Sequence, residues 1–281
     1  MSSRGRFDAV ETPYVSGASD MQSKTLETLI VDVADNGVVT VTMNRPEKKN
    51  AANATMWTEL RETWTEIGLD PTVRCVVMTG SGDAFCSGAD LGGQGQERHQ
   101  LQAMNEIHMT LQAFHSMMMP VVAKVNGVAA GAGMNMALAC DILIASDQAR
   151  FSEIFARRGL TVDFGGTWML PRLIGLHKAK ELAFFGDVIS AADAERFGFV
   201  NRVVPHDVLD DTVDSWADAL AAGPPLALSM TKRLLTLNAT NDFWSALEAE
   251  GMAQTVNFGT DDTREAIKAF LDKRPPEFRG R

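Results

Sequence analysis

The chain has 281 residues, 45% of them hydrophobic, enough for one large core or a core with a helical appendage. No apolar run reaches the roughly 18 residues that a membrane-spanning helix needs, and a net charge of −10, from 26 basic and 36 acidic side chains, argues against nucleic acid or an anionic membrane as partner. Cys75, Cys86 and Cys140 lie scattered in apolar surroundings and the five histidines form no HExxH pattern, so we expect a reducing cytoplasm, no disulfide framework and no metal site.

Residues 1–23 are rich in small and polar side chains, lack an apolar signal region and carry acids that a transit peptide would avoid. They are expected to form a flexible extension before a core over 24–205 and a helical region over 206–281. TLIVDV and VVTVTMN flank ADNG, where Asn36-Gly37 supplies a hairpin turn. ATMWTELRETWTEIGL has the spacing of an amphipathic helix and ends at Asp70-Pro71. RCVVMTG, VVAKVNG and DILIAS read as buried strands, apolar on both faces. Between them fall a glycine-rich loop at 80–95, a helix near 97–118 and a glycine-alanine helix start at 129–139. Strands alternating with helices indicate an α/β core. From Leu176 the pattern turns helical, with FVNRVVP as one short strand, and from Leu209 it is wholly helical with apolar stripes that dock on another surface.

Two segments carry candidate chemistry: GSGDAFCSGADL at 80–91 and VNGVAAGAGMNMALACDI at 125–142. Each follows a strand and places small residues where backbone approaches something closely. The second opens a helix whose first N–H groups have no intrahelical partner. Two such donors can hold a developing oxyanion, although tight strand–helix packing requires the same residues. Asp163, in GLTVDFGGT, is a carboxylate in an apolar stretch. It reads equally as the N-cap of a helix turn beginning at Gly165 or as a working acid/base.

Taken with NRPEKKNA upstream, these segments resemble the crotonase (enoyl-CoA hydratase/isomerase) superfamily, from about Thr25 to the C-terminal FLDKRPPEF. The resemblance implies a spiral of ββα units with a C-terminal helical trimerisation region, a homotrimer or a hexamer of paired trimers, and a substrate carried as a coenzyme A thioester without a prosthetic group. It puts the oxyanion hole on the backbone N–H groups of Ala89 and Ala132. Nucleotide contacts fall around Arg45, Glu47, Lys48 and Ala51, and on Ser87, Asp90 and Leu91 in the segment 87–91. Phe270 and Lys273 match residues that reach a neighbouring subunit's coenzyme A.

The departures carry more information. The two glutamates of a family hydratase fall on Asn135 and Phe155, neither of which exchanges a proton usefully. Glu153 lies two residues from the second position, and is expected to be solvated or hydrogen-bonded. Asp163 matches an acidic position used by dienoyl-CoA isomerases and by a 4-chlorobenzoyl-CoA dehalogenase. DFGGTWMLPR, residues 163–172, is similar to the corresponding stretch of the 1,2-epoxyphenylacetyl-CoA isomerase group, which also lacks both glutamates. With the other acids absent and the oxyanion segments kept, the balance moves from cap to catalyst: Asp163 takes a proton, the oxyanion hole stabilises the dienolate, and Asp163 returns the proton elsewhere. Phe155, Phe164 and Trp168 are expected to wall its pocket and raise its pKa. A hydratase handling water through Asp163 or Glu153, or an idle acyl-CoA-binding protein, are the alternatives. A serine hydrolase is not, since Ser87 lies outside any GxSxG elbow.

Overall fold

The computed structural model describes residues 21–92 and 99–281. The expected extension, through residue 20, lies outside the described residues, as do the end of the glycine-rich loop and the first residues of the helix expected from 97. Strands β1 (Lys24–Thr25), β2 (Leu29–Val33) and β3 (Val38–Met43) form an antiparallel meander. Its second turn closes at Gly37, where φ is +83°, a conformation that favours glycine. Helix α1 (Ala54–Leu69) occupies the expected amphipathic stretch. Asn53 caps it by accepting the Met56 N–H at 2.9 Å, and Met56, Leu60, Trp64 and Ile67 are buried along one face.

From here the chain alternates between two sheets. β4 (Cys75–Gly80) pairs in parallel with β3, and β5 (Ala84–Cys86) turns into a second sheet. Helix α2 (Gln100–Ser116) leads to β6 (Val121–Val125) in the first sheet and β7 (Val128–Ala130) in the second. Helix α3 (Ala132–Leu138) leads in turn to β8 (Ile142–Ser146) and β9 (Arg150–Ser152). A 3-10 turn (Ile154–Arg158), α4 (Gly166–Ile174), α5 (Leu176–Phe185), β10 (Ile189–Ser190), α6 (Ala191–Phe197) and β11 (Arg202–Val204) complete the core. The sheets run β1-β2-β3-β4-β6-β8-β11 and β10-β9-β7-β5. From β4 to β9 each strand pair thus gives one strand to each sheet, which is the ββα spiral that the resemblance implied. The three-residue strands β5, β7 and β9 were not expected from the sequence, because they are too short to show a period of two.

The helical last third divides in two. Helix α7 (Leu209–Ala221) lays Leu209, Val213, Ala217 and Ala221 on the first sheet, against Val38, Cys75, Val77, Val122 and Ile144. Helices α8 (Pro225–Asn238), α9 (Phe243–Phe258) and α10 (Asp261–Asp272) leave Phe243, Trp244, Met252 and Phe258 exposed. Lys232 tethers α8 to the core through Asp141, 2.7 Å away, and the Met119 carbonyl, 2.9 Å away.

The start of α3 sits against β5 because Gly133 has no side chain. A Cβ there would lie 2.1 Å from the Cys86 carbonyl oxygen, and backbone cannot yield as a side-chain tip can. Gly133→Ala is expected to lower the unfolding free energy by about 1–3 kcal/mol, read as a lower urea midpoint.

Candidate active site

A cavity of about 560 Å³ opens where the segment 87–91, the end of β7, the start of α3 and the 3-10 turn after β9 converge. Ala89, Ala132, Phe155 and Asp163 line it. A larger groove, about 670 Å³, runs between the first hairpin and Phe278 but contains none of the expected site residues.

The two expected oxyanion donors meet here for reasons of backbone geometry. Gly88 has φ +103°, and a Cβ on it would sit 2.9 Å from the Ala130 carbonyl and 3.7 Å from the Ala132 nitrogen, so only glycine lets the segments approach. Ala52 donates to the Gly88 carbonyl at 2.8 Å and accepts the Asp90 N–H at 2.9 Å. In that parallel bridge the N–H of the residue between, Ala89, faces away from Ala52. Ala132 is the first residue of α3, where an N–H has no intrahelical acceptor. Neither N–H donates to another described residue.

Of the residues matched to nucleotide contacts, Ala51, Ser87, Asp90 and Leu91 line the cavity rim, while Arg45, Glu47 and Lys48 do not line it. Arg45 spans to Asp90 at 3.0 Å and also donates to the Ala51 carbonyl, so it braces the rim as well as charging it. The Gly92 N–H, then the Arg45 guanidinium, hold Asp90 below the usual carboxylate range. Ser87 donates its N–H to the Lys49 carbonyl at 3.0 Å and its hydroxyl to the Lys48 carbonyl at 3.3 Å. Glu47 and Lys48 stand exposed on a 3-10 turn (Pro46–Lys48), and Leu91 is exposed at the mouth. Phe270, 80% exposed, and Lys273 lie on and after α10, outside the cavity lining. Asn50, which the sequence reading passed over, ties this rim together. Held at φ +54°, it donates to the Ser81 and Ala84 carbonyls at 2.9 and 2.8 Å and accepts the Arg45 N–H at 2.9 Å. The available signal was asparagine's tolerance of left-handed backbone.

Asp163 precedes two residues in the left-handed region, Phe164 at φ +46° and Gly165 at φ +75°. That conformation is strained for phenylalanine. Packing holds it: Phe164 is buried, with its ring 5.4 Å from that of Trp57. The turn sends Phe164 into the core and Asp163 to the cavity. Phe164 is therefore no pocket wall, and neither is Trp168, 39% exposed under the Arg172 guanidinium at 4.1 Å; Phe155 is one. Nor is Asp163 a side-chain cap. Gly165 is the N-cap of α4, and the Gly166 N–H binds the backbone carbonyl of Asp163 at 2.9 Å. The carboxylate oxygen Oδ1 is buried without a partner among the described residues. Burial pushes its pKa up to about 6, against the opposing charge of His108 on α2.

Behind Asp163 lies a polar pair. Asn135, fully buried, donates from Nδ2 to the Asp163 carbonyl at 2.9 Å, and it fits only because a Cβ on Gly166 would lie 2.4 Å away. Glu153 is 1% exposed, with Oε2 a long 3.5 Å from the same Nδ2 and Oε1 unpartnered among the described residues. Of the two states expected from sequence, solvated or hydrogen-bonded, it is the second, through the long Asn135 contact, and it is not solvated. Burial pushes its pKa up to about 8; the Asn135 contact opposes the rise and the Asp163 charge adds to it. Its position directly after β9 had no sequence signal, since a three-residue strand shows no period.

Residues 33–281 match the profile of the enoyl-CoA hydratase/isomerase family. The chain is 40% identical over 247 residues to a Rhodobacter capsulatus protein named "Probable enoyl-CoA hydratase", covering 87% of this chain and 95% of that protein. It is 36% identical over 260 residues to the 1,2-epoxyphenylacetyl-CoA isomerase of Escherichia coli K12, covering 90% and 98%. A crystal structure of an enoyl-CoA hydratase from Bacillus anthracis superposes with a TM-score of 0.86 at 33% identity, over 91% of this chain and all of that one.

Both buried carboxyls hold a proton more tightly folded than unfolded, Asp163 moving from 3.8 to about 6 and Glu153 from 4.5 to about 8. Their contribution to stability is full below the lower values and is lost as pH rises through the upper ones. Between pH 4.5 and 8, Glu153→Gln is expected to gain stability relative to the parent. The gain should be on the order of 2–4 kcal/mol, read from urea unfolding at each pH.

Proposed function

This chain belongs to the enoyl-CoA hydratase/isomerase family, and we propose that within it the protein is an isomerase that moves a proton through a thioester enolate. The acyl-CoA thioester enters the cavity with its carbonyl oxygen at the N–H groups of Ala89 and Ala132. Asp163 removes a proton from an activated carbon, the negative charge collects on the carbonyl oxygen between the two donors, and Asp163 returns the proton farther along the acyl group. Each donor is worth about 3–4 kcal/mol of transition-state stabilisation. Arg45, Glu47, Lys48, Ala51 and the segment 87–91 hold the nucleotide portion. The exposed apolar residues of α9 suit a homotrimer, or a hexamer of paired trimers, in which Phe270 and Lys273 reach a neighbour's coenzyme A. No helix among the described residues is long and apolar enough to cross a membrane, and we assign a cytoplasmic setting.

The observation that carries the reading is the buried Oδ1 of Asp163, in the cavity wall and without a partner among the described residues. A helix cap would be hydrogen-bonded, and a solvated carboxylate would keep an ordinary pKa. A base needs a free lone pair and a pKa near working pH. A hydratase reading is favoured by the name of the Rhodobacter relative. In that case Asp163 would activate the water, because Glu153 does not line the cavity.

The test is incubation with 2-enoyl-, 3-enoyl- and 3,5-dienoyl-CoA esters in heavy water, followed by mass analysis. Double-bond migration with deuterium uptake is expected. Asp163→Asn should slow it by roughly 10²–10⁴-fold. Activity should fall below about pH 6, as protonation removes the base. Water addition lost in Asp163→Asn would make the protein a hydratase with Asp163 activating the water, water addition that survives it would remove Asp163 from the chemistry, and binding without turnover would leave an acyl-CoA carrier.

A further inference from the structure

We propose that Glu153 is a positioning residue for Asp163, a neutral carboxylic acid whose O–H engages the Asn135 side chain and so registers the base against the oxyanion donors. The inference rests on Asp163 being the base.

A shortage of donors points to it. Asn135 Oδ1 and Glu153 Oε1 are both buried and both lack a partner among the described residues. Both are acceptors when the glutamate is ionised, and buried acceptors left unpaired are costly. One proton on Glu153 supplies the missing donor, and its carboxyl lies beside the Asn135 amide, with Oε2 3.5 Å from Nδ2. The raised proton affinity of Glu153 agrees with this state at neutral pH.

Asn135 is where such a restraint has effect. Its side chain holds the Asp163 carbonyl at 2.9 Å, while its own N–H binds the Gly131 carbonyl at 3.1 Å, one residue before Ala132. The base and one oxyanion donor are thus tied through one residue, by its side chain on one side and its backbone N–H on the other. The strained turn at Phe164 gives the Asp163 segment reason to relax if Asn135 is free to rotate. The residue before Glu153 is anchored: the Gly131 N–H donates to the Ser152 carbonyl at 2.8 Å and Ser152 Oγ donates to the Gly186 carbonyl at 3.1 Å.

The surrounding charges leave Glu153 coupled to Asp163. The segment before α4 brings Asp163, whose charge raises the proton affinity of Glu153, and α2 brings His108, which acts on Asp163. From α3 comes only the neutral Asn135. On the adjoining turn Arg157 is paired with Asp187, and Arg158 is exposed at the cavity. A neutral Glu153 lets Asp163 ionise and work. An ionised one removes the donor from Asn135 and places a second negative charge behind the base.

The test compares the full chain with Glu153→Ala and Glu153→Gln. In isomerase assays Glu153→Ala is expected to lower kcat on the order of 10- to 100-fold with little change in KM, as misplacement of a base does, and Glu153→Gln, which keeps a donor, to restore most of it. The parent should lose activity above about pH 8 and the Gln variant should not. Carboxyl-carbon NMR of glutamate-labelled protein, with Glu153→Gln for assignment, should show Glu153 neutral at pH 7 whether or not the enzyme turns over. A Glu153 resonance ionised at pH 7, or a Gln variant as slow as Ala, overturns the inference. Failure of the base reading is seen separately, as turnover retained in Asp163→Asn.

Discussion

The cavity exists because backbone from β5 and from α3 comes closer than any side chain would permit. At Gly88 and Gly133 a single Cβ would fall 2.9 Å and 2.1 Å from facing carbonyl oxygens. Everything chemical follows from that approach: two N–H groups that would otherwise be spent on secondary structure are left without acceptors on facing segments. An N–H in a helix interior or a regular ladder cannot do this, since its partner is already assigned. A short strand ending at a helix start leaves such donors free.

Around that frame the protein spends conformational strain and desolvation in one small region. Phe164 is held left-handed by its packing on Trp57, and the same turn brings Asp163 to the cavity while leaving its Oδ1 without a partner among the described residues. Asn135 fills the gap behind it because Gly166 leaves room. Two carboxyls with raised proton affinity within one polar cluster would weaken a core. In the proton-transfer site proposed above they would supply groups that change state near neutral pH. The rim obeys a different logic: Arg45, Asp90 and Asn50 pair with each other and with backbone, giving rigidity where the resemblance places nucleotide contacts.

Legibility in the sequence follows element length. The 16-residue α1 displays its stripe, and β4, β6 and β8 show as apolar runs because both faces are buried. The second sheet was invisible, since three residues of β5, β7 or β9 carry no period. The helical last third was visible as helix. That α7 covers the chain's own sheet while α9 leaves its aromatic residues exposed was not, because both are apolar in composition.

The family resemblance moved Asp163 from helix cap toward acid/base; local chemistry by itself determined that Asn135 and Phe155 cannot shuttle protons and that glycine-alanine segments bring backbone close. These are properties of residue type and of spacing over a few positions. Tertiary structure decided what each group faces. It turned Phe164 into the core and Trp168 to the surface, removed Asp163 from the role of cap, and buried Glu153 behind Asn135. The contacts responsible link Asn135 to residues 18 and 28 positions away. Loss of water at a polar atom depends on such distant neighbours, and no periodicity along the chain records it.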